Sequence, residues 1–160
     1  MDRNNLIKHI INELTEVHQT AISAAKRAHQ TATDKENIAE NKYDTFGLEA
    51  SYLAEGQARR VSQCESDLKQ YSELLNDNDS VKSVIGIGTF VSLEDESIEK
   101  IHLFLGPAAG GLKVIYNEKE ILLITVTSPL GNALMGLSKG EDFELNFGDK
   151  EKYYRIINIC

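Results

Sequence analysis

The stretch "DKENIAENKYDTFGLEASY", residues 34–52, divides the first half of this 160-residue chain. It holds five acids, Asp34, Glu36, Glu40, Asp44 and Glu49, and its middle, "ENKYDTFG", has a turn-prone Asn41-Lys42, two aromatics and Gly47. Before it, apolar and small residues fall at Ile7, Ile10, Leu14, Val17, Ala21, Ala24 and Ala28. After it they fall at Ala50, Ala54, Val61, Cys64, Leu68, Tyr71 and Leu75, with Gln57 filling one further place in the series. Steps alternating between three and four are the seam of a heptad helix. The two seams align antiparallel, pairing Ile7 with Leu75, Leu14 with Leu68, Ala21 with Val61 and Ala28 with Ala54 at a constant total, so the chain should reverse around Asn41. The acids then lie at the tip of a coiled-coil hairpin, an arm of roughly 50 Å for roughly 35 residues at about 1.5 Å each. Its seam is graded, from Ile, Leu, Val and Tyr at the base to Ala and Gln near the tip. Such a seam predicts a slender distal arm of lower stability. The heptads alone leave a second reading open, a seam that pairs two chains.

Composition changes after "NDNDS", Asn76 to Ser80, which predicts a boundary between a hairpin domain at 1–78 and a second domain at 79–160. The first half has no proline, and its only glycines are Gly47 and Gly56; Pro107, Pro129 and the other nine glycines lie in the second. Six β-rich runs follow: 89–93, 100–105, 112–116, 121–126, 143–147 and 152–159. Several alternate apolar and polar residues, as half-buried antiparallel strands do. "SPLGNALMGL" interrupts them, with Pro129 suited to a first helical turn and Leu130, Leu134 and Leu137 on one face. The expectation is an α+β chain, in which a strongly twisted sheet wraps one short helix. "GPAAGG" reads as a loop, and Gly86-Ile87-Gly88 as a turn, since no helix opens after it to make a phosphate loop.

The balance of 25 acids against 17 lysines and arginines gives a net charge of −8. That argues against free binding to nucleic acid by counterion release, and leaves open a protein partner with a basic entrance. No run of about 18 apolar residues is present, so no membrane association is expected. The polar N-terminus has no signal-peptide core. Cys64 and Cys160 fit no metal or redox spacing, and the four histidines show no ligand spacing. A cytoplasmic location follows as an expectation.

Two charged groups stand out. Dense acids at a tip suit a divalent cation through oxygen ligands, or simple solvation, and no calcium-loop spacing decides between them. Lys26 and Arg27 on the first helix should lie near Arg59 and Arg60 on the second, as a basic collar midway along the arm. The collar reads either as a salt-bridged surface or as a contact for phosphates or an acidic wall.

The segment "TVTSPLGNALMGLSKGEDFEL", residues 125–145, followed by "YYRIINI", resembles the GreA/GreB family of bacterial transcript-cleavage and elongation factors. "VIGIGTFVSLED" likewise resembles the first strand of that family's C-terminal domain. The resemblance covers residues from about 80 to 160, and the first half matches in architecture. It implies an FKBP-like C-terminal domain that docks on RNA polymerase at the rim of the secondary channel, with Ser128, Pro129, Leu130 and Gly131 at the docking segment. It implies a hairpin that enters the channel. Tip acids there help hold a Mg²⁺ shared with the polymerase active site, while polymerase itself cleaves backtracked RNA. This chain would then be a modulator rather than an enzyme, with no cofactor and no metal held alone, monomeric, touching the nascent RNA 3′ end indirectly and DNA only through the complex.

At the tip the family pattern Asp-Leu-x-Glu-Asn-x-Glu-Tyr falls on Asn37 to Asp44. Glu40 and Asn41 match, Asn37 replaces the leading acid, and the order at Tyr43-Asp44 is altered. The resemblance makes Glu40 and Asp44 the working carboxylates, supported by Asn37, Asn41 and Tyr43. A neutral amide at Asn37 also admits the alternative of a channel inhibitor that stimulates no cleavage. A third possibility, an FKBP-like isomerase or chaperone, would need an aromatic-lined proline pocket, and the chain has no tryptophan.

Overall fold

The computed structural model describes residues 2–33, 46–77, 83–147 and 150–160. The reversal expected around Asn41 lies outside them, as does the junction between residues 78 and 79. The chain begins with two helices, α1 (Arg3–Thr33) and α2 (Phe46–Asn76), each of 31 residues. Asp2 caps α1, its Oδ1 accepting from the amide of Asn5 at 2.9 Å, which satisfies one of the donors a helix start leaves open. Six strands and a short helix follow: β1 (Thr89–Asp95), β2 (Lys100–Gly106), β3 (Lys113–Tyr116), β4 (Lys119–Thr125), α3 (Pro129–Leu134), β5 (Asp142–Phe147) and β6 (Lys150–Ile159).

The chain divides into two compact units, Asn12–Lys69 and Met1–Ile11 with Gln70–Cys160. The first turns of α1 and the last turns of α2 therefore belong with the sheet. Leu6, Ile7, Ile10 and Tyr71 are fully buried there, and Leu74 nearly so. Leu6 and Leu74 lie outside the heptad seam. They are buried because this part of each helix packs on two sides instead of one.

Within Asn12–Lys69 the helices run antiparallel. His18 Nε2 lies 3.5 Å from Glu65 Oε1, and shared grooves bring Ala25 beside Ala58 and Ala24 beside Gln57, all within a residue of the expected register. At that separation the ring nitrogen makes no hydrogen bond. Leu14, Ala21, Ala28, Ala50 and Cys64 are buried as the seam requires. Asp67, an acid outside the seam, is buried as well and accepts from Gln63 Nε2 at 2.9 Å.

The sheet has the order β3-β4-β2-β1-β6-β5. All neighbours are antiparallel except β2 and β4. β3 folds back on the outer edge of β4 through Asn117-Glu118, both at positive φ (51° and 61°), as the tight hairpin turn that matches strand twist demands. One face carries the main core: Val91, Leu93, Leu103, Leu105, Ile124, Leu145, Tyr154 and Ile156 around Leu134 of α3. Because α3 packs on both β4 and β5, strands far apart in the sheet order, the sheet curls around it. The opposite face presents Phe90, Phe104, Ile121 and Leu123. Tyr71 stacks on Phe104 with ring centres 6.3 Å apart and donates its hydroxyl to Ala108 O at 3.1 Å. Arg3 ties the same helix ends to the sheet, donating from Nε to Gly88 O at 3.0 Å. Gly88 has φ +88°, a backbone conformation that favours glycine, and a Cβ there would displace the Arg3 guanidinium 2.6 Å away.

Candidate functional site

The five tip residues named from sequence, Asn37, Glu40, Asn41, Tyr43 and Asp44, lie outside the described residues. Among the described residues, no group of three or more His, Cys, Asp or Glu side chains could hold a metal ion.

The four collar residues are all exposed, and the helical register divides them. Lys26 lines the groove between α1 and α2 that also contains Glu55. Arg59 is already paired, its Nη2 2.6 Å from Glu55 Oε1 one turn earlier. Arg60 faces the other groove, beside Glu13, Glu16 and Thr20. Lys26, Arg59 and Arg60 thus each have an acid close by.

The segment 128–131 is built by the capping of α3. Ser128 Oγ accepts from Gly131 N at 3.0 Å and donates to Thr125 O at 2.8 Å. The Ser128 amide closes the same turn onto Thr125 O at 3.0 Å. Pro129 fits the first helical position, where its missing N–H costs nothing. Gly131 is buried, and a Cβ there would lie 2.8 Å from the Thr125 carbonyl carbon and closer still to its oxygen. Leu130 packs against the main core. Of the four residues, Pro129 is the one that faces solvent, and Met135, just beyond the helix, is 43% exposed. Leu137 lies past the end of α3, half-buried against the core instead of extending a helical face.

Two surfaces were missed in the sequence. Glu94, Asp95, Glu96, Asp142, Tyr153 and Arg155 line one depression where β1, β5 and β6 meet. Arg155 clasps Asp142 with two hydrogen bonds of 2.7 and 2.9 Å, and this contact holds the Asp142 carboxyl below the usual carboxylate range. The Glu151 charge and hydrogen bond, with Glu144 and Glu96 nearby, push the Tyr153 phenol upward. The available signal was Glu151, Tyr153 and Arg155 at alternate positions, which share one face of a strand. On another part of the sheet, Lys100, His102, Lys113, Glu118, Lys119 and Glu120 surround a second depression. Lys113 pairs with Glu120 at 2.8 Å. His102 bonds Ser92 Oγ through Nδ1 at 3.0 Å. Burial first, then Lys119 and Lys100, lower its pKa from the usual 6.5. Phe90, Phe104 and Tyr71 are packed inside at 2% exposure or less.

Residues 80–160 match the family model described as "Transcription elongation factor, GreA/GreB, C-term". The chain is similar to the transcription elongation factor GreA of Clostridium kluyveri, at 26% identity over 96% of this chain and 91% of that protein. It is also similar to GreA of Beijerinckia indica subsp. indica, at 27% identity over 78% of this chain and 73% of the other. Among solved structures, GreA factor homolog 1 (Gfh1) of Thermus thermophilus aligns over 98% of this chain and 94% of its own, at 21% identity and a TM-score of 0.38.

Proposed function

The chain belongs to the GreA/GreB family of transcription elongation factors, and we propose that it acts on RNA polymerase at the secondary channel, presenting the acidic segment between α1 and α2 to the polymerase active site. The observation that carries this reading is the family match over residues 80–160 on a chain that opens with two antiparallel helices of equal length. In this reading the sheet with α3, residues 79–160, docks on the polymerase, and the hairpin of residues 1–78 enters the channel. Pro129 and Met135 make the docking contact, because Ser128 and Gly131 are occupied in closing the turn. The factor modulates polymerase and performs no chemistry of its own.

Glu40 and Asp44 would lend carboxylate oxygens to a Mg²⁺ of the polymerase active site. That ion, when bound, supplies a water of lowered pKa and neutralises charge that develops in the reaction. Two carboxylates are a weak Mg²⁺ site by themselves, since the ion keeps its waters until more ligands converge. The donor set therefore fits a shared ion and not a resident one. Asn37, where the resemblance places an acid, favours a second reading: occupation of the channel without stimulated cleavage.

The test is a cleavage assay on a stalled, backtracked polymerase complex, with and without this protein. Cleavage that is lost in Glu40→Gln and Asp44→Asn, with polymerase affinity retained, supports the first reading. Binding with no cleavage, restored by Asn37→Asp, supports the second. Absence of any binding to polymerase refutes both.

A further inference from the structure

Strands β2 and β4 run parallel, and the register that pairs His102 with Ile121 brings Lys100, two residues earlier, to the level of Lys119. Residues two apart in a strand share a face, so both lysines stand on the face that carries His102. Like charges side by side on neighbouring strands destabilise a sheet. Neither lysine has an ion-pair partner among the described residues. Lys113 is held by Glu120 at 2.8 Å, and those two charges neutralise each other. Glu94 lies by register between Lys100 and Arg155 and forms an ion pair with neither. Glu118 is the remaining carboxylate beside the depression that Lys100, His102, Lys113 and Lys119 share. Two unpaired ammonium groups against one unpaired carboxylate leave a positive excess there, in a chain whose net charge is −8. His102 completes the group. Its ring is held by Ser92 Oγ at Nδ1 and stacks on Phe90 with centres 5.8 Å apart. When the buried Ser92 hydroxyl donates, the neutral ring carries its proton on Nε2, which has no hydrogen bond among the described residues. After burial, the charges of Lys119 and Lys100 lower the His102 pKa, as cations near the ring must.

We propose that Lys100, Lys119 and Nε2 of His102 form a binding site for a phosphate-class dianion, inorganic phosphate or a phosphomonoester. Two ammonium groups match its two negative charges, and the imidazole N–H supplies a directed donor to one of its oxygens. The anion turns a repulsive group of cations into an attractive one: each lysine gains the partner it lacks, and a protonated His102 gains one as well. A phosphodiester carries a single charge per group and satisfies one lysine only. Because the lysines are exposed, the site is weak and sensitive to salt. It is distinct from the segment 128–131, since Lys119 opens β4 and that segment follows the strand's other end at Thr125.

The test is an NMR titration of the full chain with inorganic phosphate, against chloride at the same ionic strength. In wild type the His102 ring signals and the amides of Lys100 and Lys119 should shift saturably with phosphate, and the His102 pKa should rise. Lys100→Gln and Lys119→Gln, both at exposed positions, should each weaken phosphate binding roughly fivefold, the upper end of what one exposed ion pair contributes. In chloride the same two variants should raise the His102 pKa toward its ordinary value, and phosphate should then add little. No saturable response in wild type overturns the proposal, as does a response that both variants leave unchanged. A short single-stranded RNA with hydroxyl ends that shifts these signals where inorganic phosphate does not would also overturn it, and assign the cations to a nucleic-acid backbone.

Discussion

Replacing Gly131 by alanine tests whether the 128–131 segment is built by steric necessity. The added methyl would lie 2.8 Å from the Thr125 carbonyl carbon and 3.0 Å from Ser128 Oγ. The first is backbone in the turn that Ser128 closes, so relief requires α3 to move away from β4. Overpacking of this kind costs roughly 1–3 kcal/mol. Displacing Gly131 also lengthens its 3.0 Å bond to Ser128 Oγ, and losing an N-cap costs about 1 kcal/mol. Alanine's better helix propensity returns about 1 kcal/mol. The net expectation is roughly 1–3 kcal/mol of destabilisation, against a total stability of about 5–15 kcal/mol for ordinary domains. Urea unfolding followed by circular dichroism should show the unfolding free energy lowered by that amount, with the midpoint falling and the slope unchanged. Ser128→Ala should fall in the range of roughly 0.5–2 kcal/mol for a lost cap. Pro129→Ala, at an exposed position, should stay within about 0.5 kcal/mol. A Gly131→Ala chain as stable as wild type would show that the turn opens freely, and the steric account of the segment would fail.

Tyr71→Phe removes the donor to Ala108 O while keeping the ring on Phe104, and should cost roughly 1–3 kcal/mol for a buried acceptor left unpaired; a neutral result in urea unfolding would show that the carbonyl finds another donor. Gly56→Ala should raise the stability of the helical pair by up to about 1 kcal/mol, read as an increase in melting temperature; a decrease would mean that the helix itself needs the bare position. His102 has a folded pKa below the usual 6.5, so the unfolded chain binds its proton first as pH falls. Its contribution is fully present above 6.5 and is lost as pH drops from 6.5 toward the lowered value. Stability measured across this window should therefore fall more steeply with acid in wild type than in His102→Gln, and equal slopes would show that the ring titrates as in the unfolded chain.

The helical pair and its register were legible because a seam obeys one period over many turns. Leu14, Ala21, Ala28 and Cys64 carry that period and are all buried. The strands were legible for the same reason at period two, with errors confined to their ends: β1 runs on to Asp95 and β6 starts at Lys150. The division of the chain was less legible. The burial of Leu6 and Leu74 depends on the sheet, a long-range contact that no local pattern announces. The parallel pairing of β2 with β4 is similarly silent, because β3 stands between them in sequence and at the edge in space. The collar shows a third limit. Four cations near one level of a hairpin look like a band, but angular position around each helix assigns Lys26 and Arg60 to different grooves, each with acids of its own.

The segment 128–131 separates two meanings of a sequence match. Ser128 is fixed by two hydrogen bonds within one turn, and Gly131 by the approach of Thr125. Any chain that turns from a strand into a short helix through this geometry meets the same two demands, whatever it binds. Their match to a family pattern is therefore evidence about architecture, and it is explained without a partner. Pro129 is different in kind. Its ring suits the first turn, but its side chain is exposed, and other residues are tolerated at a first helical position. Met135, uncovered beyond the end of α3, has still less structural reason for its identity. Partner discrimination must draw on side chains that the fold leaves accessible. A docking variant should accordingly be made at Pro129 or Met135, where affinity for polymerase can change without stability, and not at Ser128 or Gly131, where a loss of binding would report only the loss of the turn.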